Sequence, residues 1–242
     1  MLIMNLEETI YKRQSIRNYK EESLTDGEII ELRNYIDTLK VLNENICWSY
    51  EIVSKDNIKT ILPWRAPHYL LLYSEEKENY LENIGFIFQQ VDLFLQSKAL
   101  GSCWLGMASP KNFEKKDSNQ KFIITISFGK TDECYREMNE FKRNDLKQIS
   151  DIVDEKLIPA QLAPSATNSQ PWYFTHNNDG SYNIYRKKQN ILRRRFTEKW
   201  NKIDIGISLA HLYITNTETF SFYIRDDAEQ LHNYFYEGSF EI

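Results

Sequence analysis

The feature of this 242-residue chain that most narrows its possible folds is an order of elements written twice. In the first half, Thr25 with Glu28 three residues on forms a capping box ahead of Ile29, Leu32, Ile36, Leu39 and Val41, which predicts a helix. "ICWSYEIVS" (46–54) and "HYLLLYS" (68–74) read as strands. Residues 78–100 carry Tyr80, Leu81, Ile84, Phe88, Val91 and Leu95 at helical spacing, and Gly101 is the expected left-handed residue ending that helix. "KFIITISF" follows as another strand. In the second half a helix is expected over 153–162. "WYFTHNNDGSYNIYRKK" reads as two strands about an Asp-Gly turn, Asp204 as the N-cap of a further helix, and "TFSFYIRD" as a returning strand. The match is one of element order and not of residues, so coincidence also accounts for it. No Gly/Ser linker separates the halves, which favours residues 1–140 and 141–242 packed as one α+β body over two independent domains.

Charge and cysteine content remove several function classes. A formal net charge of -5 is contrary to the basic excess of a nucleic-acid reader, so an anionic ligand has to be met by local arginines. The sequence has no run of eighteen apolar residues, and "MLIMNLEETIYKR" lacks the parts of an export signal, so a cytoplasmic protein without a membrane partner is expected. Cys47, Cys103 and Cys134 have no CxxC spacing and are expected to be buried free thiols. The four histidines, at 68, 176, 211 and 232, lack metal-ligand spacing.

Three segments could carry chemistry. In "KRQSIRNYK", Arg13, Ser15 and Arg17 alternate, so in extended chain they share one side and offer a fork for phosphate; a solvated basic edge has the same residue content. "ALGSCWLGMASP" has Gly101 and Gly106, which permit tight turning and close approach to a flat ligand; a helix stop followed by a buried Trp104 is the plainer reading. "APSATNSQPW" (163–172) gathers Ser165, Thr167, Asn168, Ser169 and Gln170 between prolines. Five polar side chains exceed what a turn needs, and the excess suggests a polar ligand. "LRRRF" (192–196) could grip a nicotinamide 2′-phosphate or form a solvated face, and the aromatic C-terminal "HNYFYEGSF" reads as packing at a terminus.

Taken together, "RQSIR", "LGSCWLG" and "APSATNSQPW" resemble the motifs of the FMN-dependent nitroreductases. The resemblance implies a central, mostly antiparallel sheet flanked by helices. It also implies bound FMN, and electron transfer from NADH or NADPH to a small acceptor such as a nitroaromatic or quinone. Carried over by motif, Arg13, Ser15, Arg17 and Arg143 hold the phosphate and nearby ribityl oxygens. Pro164, Ser165 and Asn168 border the isoalloxazine ring, and Trp104, Leu105 and Gly106 line its other side; no catalytic side chain is assigned. The family's Ala-Pro-Ser motif normally follows the Arg motif closely, whereas here it comes after "LGSCWLG". Family members are homodimers with FMN at the subunit interface. The displaced motif therefore resembles a dimer fused into one chain with one FMN site kept and one erased, leaving the protein a monomer or a homodimer. An FMN-binding protein without reductase turnover, and a flavin-fragmenting or dehalogenating branch of the family, are the alternatives.

Overall fold

The computed structural model describes residues 4–112, 119–189 and 191–242, with the side chains of 191–196 outside the described ones. In chain order its elements are α1 (Leu6–Ile10), α2 (Asp26–Ile36), β1 (Trp48–Ser54), β2 (Ile58–Thr60), β3 (His68–Glu75), α3 (Tyr80–Ser97), β4 (Leu100–Leu105), β5 (Ala108–Pro110) and β6 (Gln120–Lys130). These are followed by α4 (Leu146–Ile149), α5 (Ile158–Leu162), β7 (Trp172–His176), β8 (Tyr182–Lys187), α6 (Ile191–Thr215), β9 (Ser221–Tyr223) and β10 (Tyr234–Glu241). The chain divides into two compact units, Met1–Tyr80 with Gln90–Met138, and Leu81–Gln89 with Asn139–Ile242.

The first unit holds a four-stranded antiparallel sheet ordered β1-β3-β6-β4 and the small pair β2-β5. Strand β3 is central because Tyr69, Leu70, Leu71 and Leu72 are all at most 1% exposed, which requires cover on both faces. The sheet's partner β6 supplies Ile123, Ile124, Ile126 and Phe128 to the same interior. Helix α2 starts as its sequence dictates: Thr25 Oγ1 accepts from Glu28 N while a Glu28 carboxylate oxygen accepts from Thr25 N.

The second unit holds a second four-stranded antiparallel sheet, ordered β7-β8-β10-β9. Leaving aside the small pair, each sheet runs first, second, fourth, third strand, with a long helix between the second and third. Besides the small pair β2-β5, the sequence pattern missed one strand of each four-stranded sheet: β4, read as a turn, and β10, read as terminal packing. Within the second unit, the Leu81–Gln89 part of α3 meets α6 backbone to backbone. A Cβ added at Gly206 would lie 1.8 Å from Glu82 O, and one at Gly85 would lie 2.0 Å from Ile203 O. The expected N-cap at Asp204 is instead in the interior of α6, which begins at Ile191. Of the three thiols, Cys103 and Cys134 are buried, but Cys47 is exposed just before the edge strand β1.

Candidate functional site

In the first unit, residues 13–17 run along β4 in extended chain. Ile16 N donates to Ser102 O at 2.9 Å, Ser15 bridges Ser102 in parallel sense, and Arg13 bridges Tyr135 in antiparallel sense. Two of the three sequence motifs are thereby laid side by side. Gly101 serves this approach: a Cβ there would come within 2.7 Å of Ile16 Cγ2. It is not the left-handed helix terminator, a position filled by Ala99 at φ 56°.

The alternation of Arg13, Ser15 and Arg17 produces a gradient of burial. Arg13 is 0% exposed, its Nε 3.1 Å from Asp92 Oδ2 and its Nη2 3.4 Å from Ser15 Oγ. Asp92 also accepts from Ser102 Oγ at 2.6 Å, and Gln96 Nε2 donates to both Ser102 Oγ and Gln14 O at 2.9 Å. Charge and hydroxyl are thus tied into one buried network, as a charge inside a protein requires. Ser15 is half-buried and Arg17 exposed, so cation and hydroxyl reach solvent side by side in front of the buried pair. The Cys103 thiol records this charge: burial raises its pKa, and Arg17 and then Arg13 oppose the rise. Beyond Ser102, Trp104 is half-buried and Gly106 exposed. Leu105, 3% exposed, packs into the core with Tyr69 and Leu71, so any ring-lining part it has rests on its main chain.

In the second unit, the polar content of residues 163–172 has a structural cause that the sequence did not show. Ser165 Oγ accepts from Gln170 N at 2.9 Å, Gln170 Oε1 accepts from Asn144 N at 2.7 Å, and Asn168 Nδ2 donates to Lys142 O at 2.9 Å. Arg143 donates from Nη1 to Asn168 Oδ1 at 2.9 Å and from Nη2 to Leu162 O at 3.1 Å, with its guanidinium over Phe141. Most of the side chains read as a surplus for a ligand are used to hold the loop's own shape. That shape needs holding, because Thr167, Asn168 and Gln170 all have left-handed backbone, at φ 53°, 57° and 45°. Arg143 acts here as a clamp on the loop. Pro164 is buried, Ser165 keeps its own O–H to donate, and Thr167, Asn168 and Ser169 are exposed. The arginines of "LRRRF" have side chains outside the described residues.

Asp204 is the residue that sequence reasoning placed in the wrong role. Both of its carboxyl oxygens face Ala166 N, at 3.0 and 3.2 Å, so it caps the strained loop from the side of α6. Burial pushes its carboxyl up to about 8, against the opposing pull of the Ala166 N–H and Ser169. The signal available in sequence was an acid inside an apolar helical run, between Ile203 and Ile205. The unfolded carboxyl titrates near 3.9 and the folded one near 8, so the native chain holds the extra proton between these values. Stability is therefore greatest below about pH 4 as far as this group is concerned and declines as pH rises to about 8. Asp204→Asn keeps an acceptor for Ala166 N and is expected to remove that decline, so that urea midpoints at pH 6 and pH 9 differ less in the variant than in wild type. An unchanged difference would show that Asp204 does not titrate in the folded chain.

Residues 5–216 match the family described as "Putative TM nitroreductase". No curated protein sequence matches the chain. Among solved structures, a "putative nitroreductase" from Thermotoga maritima MSB8 is 20% identical and aligns over 98% of this chain and 93% of its own, with a TM-score of 0.67. A nitroreductase family protein from Clostridium difficile 630 is 15% identical over 63% of this chain and 99% of its own, at a TM-score of 0.49. An FMN-dependent nitroreductase from Clostridium difficile R20291 is 16% identical over 55% of this chain and 94% of its own, at 0.44. The Thermotoga likeness runs through nearly the whole chain and shows a shared fold. With the family match spanning all but the first four and the last 26 residues, the chain belongs to the nitroreductase family.

Proposed function

We propose that the protein is an FMN-dependent oxidoreductase that takes electrons from NADH or NADPH and delivers them to a small acceptor of the nitroaromatic or quinone class. The observation that carries this reading is the Ser15 and Arg17 pair, presented to solvent along β4 and backed by the buried Arg13 and Asp92. Its donor set suits a phosphate monoester. Arg17 supplies a permanent charge and forked N–H groups, Ser15 a hydroxyl, and Arg13 a second charge that Asp92 keeps in place. When bound, FMN supplies the two-electron chemistry, as the cofactor does in flavoenzymes generally.

The chain's own part is binding and positioning. Arg17 and Ser15 are assigned the phosphate, with Arg13 orienting Ser15 from behind. Trp104 and the exposed backbone at Gly106 are assigned one side of the ring. By motif, Pro164, Ser165 and Asn168 are the second unit's own candidates for flavin contact, and Arg143 fixes the left-handed backbone at Asn168 within that unit. Donors held in place before the cofactor arrives need no reorganisation when charge develops on it. The Arg-x-Ser-x-Arg motif and the Ala-Pro-Ser motif each occur once, which supports one flavin per chain and the fused-dimer reading of residues 1–140 and 141–242. Among the described residues no helix is long and apolar enough to cross a membrane.

The test is anaerobic mixing of FMN-reconstituted protein with NADH and, separately, NADPH. Loss of the oxidised-flavin absorbance with at least one of them is expected, and its return on adding a quinone. No loss with either would sink the reductase reading. In the same preparation Arg17→Ala should weaken FMN retention by about 1 to 3 kcal/mol, the usual loss for a hydrogen bond to a charged group. Unchanged retention would remove Arg17 from the site.

A further inference from the structure

A cation-rich concavity lies in the first unit, around the small pair β2-β5. Its cavity of about 410 Å³ is lined by Lys55, Lys59, Arg65 and Lys111, with Asp56, Thr60 and the buried Ile58. Four cations and one carboxylate around one concavity oppose the chain's overall charge of -5. Among the described residues none of the four cations is ion-paired.

The strand register explains why the charges converge. Ile58 pairs with Pro110 and Lys59 with Ser109, and Lys111 N donates to Asn57 O at 2.8 Å. In an antiparallel pair this puts Lys59 and Lys111 on one face as diagonal neighbours, where like charges repel unless an anion lies between them. Arg65 comes in from the following loop already fixed, Nη1 donating to Leu62 O at 2.5 Å and to Trp64 O at 3.0 Å. A concave surface of one sign concentrates field and counter-charge, and the volume is that of a small-ligand site rather than of a single ion. Asp56 adds a carboxylate acceptor to a lining dominated by cationic donors. Its negative charge repels a bare phosphate but not a neutral sugar hydroxyl, which can donate to it.

We propose that this cavity binds a phosphate-bearing small molecule of nucleoside-diphosphate size, separately from the residues assigned to FMN. The phosphates lie among Lys59, Lys111 and Arg65, and a sugar hydroxyl faces Asp56. The proposal does not depend on the flavin reading.

Isothermal titration of purified full-length protein with ADP, inorganic pyrophosphate and citrate tests it. ADP should bind more tightly than pyrophosphate, and citrate most weakly, with affinity for ADP falling as salt is raised. Lys59→Glu and Lys111→Glu, both surface changes, should each weaken ADP binding at least about tenfold, with circular dichroism unchanged. Arg17→Ala should leave ADP binding as in wild type. The proposal is overturned if ADP does not bind at low salt, if both charge reversals bind it normally, if pyrophosphate or citrate matches it, or if Arg17→Ala abolishes the binding.

Discussion

Gly206→Ala is expected to destabilise the second unit by at least about 3 kcal/mol, a large share of the 5 to 15 kcal/mol that holds a domain folded. The reason is geometric. The new methyl would sit 1.8 Å from Glu82 O and 2.7 Å from Phe86 N, and both of these are backbone atoms that no rotamer change can move. Relief requires α3 and α6 to separate along Leu81–Gln89. Separation would loosen Phe86 from Tyr213 and Phe220, and Gln89 Nε2 from His211 Nε2. Gly85→Ala makes the reciprocal clash with Ile203 O and should cost a similar amount. Gly27→Ala provides the contrast. It lies in α2 with nothing but Thr25 Oγ1 at 4.0 Å, so it should stabilise by about 0.5 to 1 kcal/mol through helix propensity. Denaturant midpoints of the three variants check the set, and equal midpoints for Gly206→Ala and Gly27→Ala would contradict the packing described.

The second large effect concerns the charge behind the phosphate rim. Asp92→Ala is expected to cost about 3 to 5 kcal/mol, because it leaves the Arg13 guanidinium buried with its carboxylate gone. It also removes the acceptor of Ser102 Oγ, and through Ser102 it loosens Gln96 and the main chain at Gln14. Removing both charges should be gentler than the two single losses combined. The double variant Asp92→Ala with Arg13→Ala is expected to fall short of the summed single costs by at least about 1 kcal/mol. A cycle with no such coupling, measured by denaturation, would mean that the contact at 3.1 Å contributes nothing.

Much of the fold was legible because apolar spacing decides elements locally. Leu70, Leu71 and Leu72 could only be a covered strand, and the spacing from Tyr80 to Leu95 could only be a helix. Strand β4 was not legible: Gly101 within it, Gly106 just beyond it and the short Ser102 resemble a turn, and it is extended because Ile16 pairs with Ser102, 86 residues away, and Lys130 with Leu100, 30 residues away. Strand β10 was obscured in the same way by the irregularity at Gly238. At the site, residue types were readable and their duties were not. Arg13, Ser15 and Arg17 share a side as their alternation dictates, yet the sequence could not tell that Arg13 faces Asp92, 79 residues on, while Arg17 faces solvent. In the 163–172 loop, left-handed backbone at three positions creates a demand for internal hydrogen bonds that composition alone assigns to a ligand. Asp204 was invisible as a loop cap because its partner, Ala166 N, is reached only through tertiary packing.

The most direct test of one flavin site per chain is the amount of FMN released on denaturing the reconstituted protein, measured with its mass in solution. One FMN for each 28.9 kDa chain is predicted, whether that chain is alone or paired. Two for each chain, or none retained after gel filtration, would contradict it.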